Sequence, residues 1–135
     1  MSNVDVVNRV YVGFAAGDIG AVTATFADDI EWTEAAGFPY AGTYVGAEAI
    51  VANVFMRLGT EWDGYKATPD LVIGEGEEVM ARGWYSGVYK QTGKPFRARF
   101  VHCYTVTDGK EQLSRPVDYV LGLGSVRSAK NWARS

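Results

Sequence analysis

Three ionisable side chains stand out in this chain: Glu34, His102 and Asp118. His102 is the single histidine of the sequence. It sits in an alternating run, Phe96, Ala98, Phe100, His102, Tyr104, Val106, interleaved with Arg97, Arg99, Val101, Cys103, Thr105 and Thr107. Strand side chains alternate between faces, so the first set shares one side, apolar except for the imidazole. An imidazole among aromatics is costly unless its nitrogens find partners. Two readings follow: a core histidine satisfied by a backbone carbonyl or a tyrosine, or a cavity wall where His102 moves protons near neutral pH. Glu34 closes a short strand two residues after Trp32. If that strand turns the same face inward, Trp32 and Glu34 point where His102 points, and the carboxylate is a candidate base or acid. Otherwise Glu34 is a solvated strand-end acid. Asp118 shares a face with Ser114 and Pro116, and either pairs with Arg115 or Arg99 outside or enters the hollow.

The elements that must position these groups are legible. Ser2 and Asp5 mark a helix start, and Val7, Val10, Tyr11 and Phe14 recur at helical spacing up to Gly17. Asp18 caps a second helix with Ile19, Val22 and Phe26 on its apolar face, closed by Asp28-Asp29. Residues 30–34 form a strand, and 35–46 read as loop, with Gly37, Pro39, Gly42 and Gly46 as breakers. A third helix carries Ile50, Val51, Val54, Phe55 and Leu58 and is expected to stop at Gly59. Strands follow at roughly 65–73, 79–89, 95–107 and 111–120, with Asp108-Gly109 as a two-residue hairpin signal. Helices first and strands in series afterwards predict an α+β domain with an antiparallel sheet.

Bulk properties agree with one domain. The chain has 135 residues, 47% of them hydrophobic and 13% aromatic, with a net charge of −3. The net negative charge and the absence of an extended Lys/Arg stripe argue against nucleic acid. One cysteine, Cys103, leaves no internal disulfide, and no metal-ligand cluster, phosphate loop or dinucleotide fingerprint is present, so neither metal nor cofactor is expected. No stretch reaches the roughly 20 apolar residues of a membrane span, and the start lacks a basic segment followed by an apolar run. A cytoplasmic protein without membrane contact is the expectation.

Several stretches resemble one family. Arg9-Val10-Tyr11-Val12, Ala16-Gly17-Asp18, Phe26-Ala27-Asp28-Asp29 and Trp32-Thr33-Glu34 are similar to the opening of ketosteroid isomerases and SnoaL-like proteins. Residues 37–46 resemble the family's loop into helix three, His102 to Lys110 its late strand and hairpin, and Val117-Asp118 its closing Val-Asp. The likeness covers residues 4 to about 120 and implies the nuclear transport factor 2-like superfamily: a cystatin-like cone, with a curved antiparallel sheet wrapped around three helices from the N-terminal half. It implies a SnoaL-like domain over 1–120, with 121–135 as a tail that matches nothing in the family. By position, Glu34 matches the proton-abstracting carboxylate, His102 the acid that donates to the substrate oxygen, and Asp118 a pocket acid of SnoaL-like cyclases and some epoxide hydrolases. The steroid isomerases' oxyanion tyrosine falls on Val10, with Tyr11 one position on, about 100° around a helix. The family's tyrosine before the last Asp is Pro116 here.

Two functions fit. One is a cofactor-free acid–base enzyme of isomerase, cyclase or hydrolase type, acting on a small apolar molecule. Glu34 would be its base, His102 its acid or orienting group and Asp118 an assistant, behind walls drawn from Tyr11, Trp32, Tyr40, Phe55, Trp84 and Tyr104. The other is a non-catalytic small-ligand or dimerisation module of the same fold. The resemblance implies a homodimer in either case, with the sheet's free face, Arg97, Arg99, Val101 and Cys103, as the surface that could meet a second copy.

Overall fold

In the computed structural model, which describes residues 2–34 and 40–107 together with the backbone of 110–115, Ser2 caps the first helix, α1 (Asn3–Ala15). Its hydroxyl accepts from the Asp5 amide while Asp5 reaches back to the Ser2 amide, so two otherwise orphaned donors are satisfied. Asp18 caps α2 (Ile19–Thr23), which ends earlier than Asp28-Asp29 suggested. β1 (Glu31–Glu34) pairs antiparallel with β2 (Gly42–Val45), Trp32 opposite Tyr44. β2 falls in the stretch expected to be loop: Thr43, Tyr44 and Val45 are strand formers that find a partner in β1, and the flanking glycines bound them.

The third helix is one rod in three pieces: α3 (Ala47–Ile50), a π-helical segment (Val51–Phe55) and α4 (Met56–Glu61). Gly59 does not stop it. A glycine weakens a helix interior by only about 1 kcal/mol relative to alanine, and Leu58 is buried at that turn. The sheet follows as β3 (Trp62–Glu75), β4 (Glu78–Tyr89), β5 (Lys94–Thr107) and β6 (Lys110–Arg115), in that order and antiparallel throughout. Asp108-Gly109 lies outside the described residues, and Thr107 pairs with Lys110 on either side of it.

On β5 the face Phe96, Ala98, Phe100, His102, Tyr104, Val106 is buried throughout. A one-residue slip would export all of it. Each of the large apolar groups on it is stabilised by about 1.5–3 kcal/mol on burial, so the register is set by that face even though His102 goes inside with it. α1 turns Val6, Val7, Val10 and Tyr11 inward to the core, and Tyr11 stacks on Phe100 of this face.

Gly83 on β4 pairs with Phe100. A Cβ at Gly83 would meet Phe100 Cζ at 2.6 Å and Pro69 Cα at 2.7 Å, and would collide with the Thr68 carbonyl oxygen. Gly83→Ala is therefore expected to destabilise the fold by about 1–3 kcal/mol, through overpacking, with the loss read as a lower midpoint in urea unfolding.

The opposite face of the sheet is polar and aromatic. Trp84 pairs with Arg99, and the guanidinium groups of Arg97 and Arg99 sit 3.8 and 4.5 Å from its ring centroid. Asp70 bridges Arg82 and Arg99 at 2.8 and 2.9 Å. These hydrogen bonds, Arg82's first and Arg99's second, hold the Asp70 carboxyl below its ordinary range. A carboxyl whose folded-state pKa is depressed adds stability that is present above its unfolded value, about 3.9. That stability is lost as pH falls through the folded value. Asp70→Asn is expected to leave stability at pH 7 nearly unchanged, because the pair is solvent-screened. It should flatten the dependence below about pH 4, where the wild type loses this contribution; melting temperatures across that range measure it.

Candidate active site

One hollow lies between α1, β1, the helical rod and the inner face of the sheet. β1 brings Trp32 and Glu34 to it, since they sit two apart on one face. Trp32 Nε1 donates to Glu34 Oε1 at 2.8 Å, so the indole fixes one carboxylate oxygen. β5 brings His102 and Tyr104, β4 brings Tyr85, and α1 brings Tyr11. Trp32 stands edge-on to Phe55 at 5.4 Å and to Tyr104 at 6.4 Å. The hollow has a volume of about 50 Å³, room for a few waters. The empty space around it, mouth included, is about 460 Å³.

His102, 8% exposed, is held from both sides. Its Nδ1 is 2.6 Å from the Tyr11 hydroxyl, and its Nε2 is hydrogen-bonded with the Tyr85 hydroxyl. The Tyr11 hydroxyl is also 2.9 Å from that of Tyr104. A neutral imidazole has one N–H donor and one acceptor nitrogen. With a neutral ring, one of the two tyrosines donates to it and the other accepts from it. The four groups Tyr104, Tyr11, His102 and Tyr85 thus form a directional hydrogen-bonded chain along one wall. Phe100 stacks on the imidazole at 4.2 Å between centroids.

Of the residues expected at the site, Glu34, His102, Tyr11, Trp32, Phe55 and Tyr104 line this hollow together. Tyr40 and Trp84 do not, which corrects the expected wall. Tyr40 is buried against the end of the rod: its hydroxyl donates to Glu61 Oε1 at 3.0 Å and accepts from Trp62 Nε1 at 3.3 Å, with the Arg57 guanidinium 4.0 Å from its ring centroid. Burial foremost pushes its hydroxyl pKa well up, and Arg57 holds Glu61 below the usual carboxylate range. Trp84 points to the opposite face because neighbours on a strand alternate, and the adjacent Tyr85 takes the inner one. Asp118 and the 121–135 tail lie outside the described residues.

Tyr85 was missed. Its signal was the parity of β4: Val79, Ala81, Gly83 and Tyr85 share a face, and Ala81 and Gly83, opposite His102 and Phe100, leave room for the Tyr85 ring to reach toward the imidazole. Among the described residues no group of three or more His, Cys, Asp or Glu could hold a metal ion, and no helix is long and apolar enough to cross a membrane.

This architecture, an antiparallel sheet closed over three helices, is that of the nuclear transport factor 2-like proteins, also described as cystatin-like or ketosteroid isomerase-like. The SnoaL-like domain family matches residues 7–111, and the chain belongs to it. A nuclear transport factor 2-like protein from Burkholderia thailandensis E264 is 45% identical, with a TM-score of 0.80 over 83% of this chain and 86% of that one. A protein of the same fold and unknown function from Burkholderia pseudomallei K96243 is 26% identical, with a TM-score of 0.73 over 82% and 86%. TerC, co-crystallised with polyporic acid, is 24% identical, with a TM-score of 0.72 over 93% and 98%, and shares the fold. No curated protein sequence matches the chain.

Proposed function

We propose that the chain is a cofactor-independent acid–base enzyme, of isomerase, cyclase or hydrolase type, acting on a small and largely apolar molecule inside the hollow. The observation that carries this reading is that Glu34 and the His102–tyrosine chain line one hollow whose other walls are apolar. Glu34 takes a proton from carbon beside a carbonyl, and the electron pair moves onto the carbonyl oxygen. A hydroxyl of Tyr11 or Tyr85, oriented by His102, gives that oxygen its proton. The aromatic walls exclude water and strengthen each polar contact. The test uses proton-for-deuterium exchange at the α-carbon of 2-tetralone in D2O, followed by NMR with the full chain. Exchange faster than in an equal concentration of acetate, and lost in Glu34→Gln, supports the reading. Exchange no faster than with acetate overturns it.

A second reading has its own support: the hollow is small as it stands, and both imidazole nitrogens are engaged by tyrosines. Under it the chain is a non-catalytic ligand-binding or dimerisation module. A homodimer through the Trp84 face of the sheet belongs to both readings, and sedimentation velocity of the full chain reports it.

A further inference from the structure

A second hollow adjoins the first. It runs between the end of α1, the last turns of the helical rod and the start of β3, and its volume is about 450 Å³. Four residues, Phe14, Phe55, Leu58 and Tyr65, line both hollows. They are the wall between a small inner chamber that holds Glu34 and His102 and a larger outer groove bordered by Ile19, Met56 and Gly59. Small-molecule sites usually measure roughly 300–1,000 Å³. The inner chamber at about 50 Å³ is far below that range, and the outer groove falls within it.

The wall is made largely of aromatic rings, two of them carried on irregular backbone. Phe14 stands edge-on to Phe55 at 5.7 Å and to Tyr65 at 6.3 Å. Phe14 sits in the last turn of α1. Phe55 ends the π-helical segment, a geometry frequent at functional sites. Tyr65 follows Gly64, whose φ is +62°, inside the register shift between Asp63 and Lys66, and such bulges re-aim side chains. Two of the four wall positions, Phe55 and Tyr65, fall where their elements leave regular geometry, while Phe14 and Leu58 stand on regular helix. Regular packing alone gives no reason for that coincidence; a partition that rearranges around a ligand does.

We infer that the two hollows are one site for an elongated, largely apolar molecule with a single polar end. The polar end lies by Glu34 and the Tyr11–His102–Tyr85 chain, and the apolar tail passes Phe14, Phe55, Leu58 and Tyr65 into the outer groove. This rests on the proposed reading that the inner hollow takes a small molecule. Phe14, Phe55, Leu58 and Tyr65 then set ligand length.

The probes are phenol and its 4-ethyl, 4-butyl and 4-pentyl derivatives, titrated into the full chain by calorimetry, with the ring resonances of the single histidine followed by NMR. Phenol is expected to shift those resonances. Each added methylene is expected to tighten binding about three- to fourfold. Gly59→Trp fills the outer groove from a position where an added Cβ meets nothing within 4 Å. It should bring the 4-pentyl derivative back to the affinity of phenol. Met56→Trp, from a residue already exposed on the same groove, should do the same should Gly59→Trp fail to fold. Affinity that is flat in tail length overturns the two-chamber site while leaving the inner reading intact. A tail gain that survives the tryptophan plug overturns it as well. Phenols that leave the His102 resonances unmoved sink the inner reading, and with it the single continuous site, even where tails still bind the groove.

Discussion

In Glu34→Gln, protein-catalysed α-proton exchange of 2-tetralone falls by about 10²–10⁴-fold, the range that one positioned general base contributes, while the melting temperature moves by no more than a few degrees. The two halves of this expectation have separate physical grounds. Glutamine keeps the shape of glutamate and an oxygen at the same place, so the Trp32 Nε1 donor that now meets Glu34 Oε1 at 2.8 Å keeps an acceptor. Glu34 stands at the end of a four-residue strand and is only partly buried, so the exchange of charge for a neutral amide disturbs little packing. What the amide lacks is basicity. It accepts a hydrogen bond but does not take up a proton at neutral pH, so the proton that must leave the carbon loses its acceptor. A Glu34→Gln protein that is folded and exchanges the ketone at the wild-type rate would leave Glu34 as a structural partner of Trp32.

How much of this was legible in the sequence depends on the range over which each feature is decided. The caps of α1 and α2 are local, fixed by Ser2, Asp5 and Asp18 within one turn, and were read directly. The inner face of β5 was legible because five of its six alternate residues agree and only His102 breaks the pattern. β2 was not, because Gly42 and Gly46 bracket only three strand formers, and their strand exists through pairing with β1. Trp84 and Tyr85 show the same limit more sharply. Adjacent strand residues point opposite ways, and residue type alone does not say which aromatic goes inside. The pairing across β4 and β5 settles it: Tyr85 faces Ala98 on the inner side, and Trp84 faces Arg99, whose guanidinium stacks on the indole. Tyr40 was drawn into the cavity by its type alone, but Trp62 and Glu61 hold it at the end of the helical rod.

The second large effect concerns His102 as a structural group. His102→Ala is expected to cost about 3–5 kcal/mol, from the lost ring and the cavity it leaves. For a domain of this length that lowers the melting temperature by roughly 10–20 °C. Packing and hydrogen bonding both contribute, and His102→Phe separates them. A phenylalanine restores the ring that stacks on Phe100 at 4.2 Å but offers nothing to the Tyr11 and Tyr85 hydroxyls. A buried hydroxyl that loses its partner costs about 1–3 kcal/mol, whereas removing both partners together is nearly neutral. His102→Phe should therefore recover only part of the stability lost in His102→Ala, and adding Tyr85→Phe to His102→Phe should raise stability again. Tyr85→Phe alone should lower it, by about 1–3 kcal/mol, because the imidazole nitrogen then loses its hydroxyl. Opposite signs for the same substitution in the two backgrounds, measured by urea unfolding, are the signature of a direct Tyr85–His102 bond. Equal losses in both backgrounds would mean that the contact between Nε2 and the Tyr85 hydroxyl contributes nothing, and that the imidazole is held by Tyr11 and its neighbours' rings.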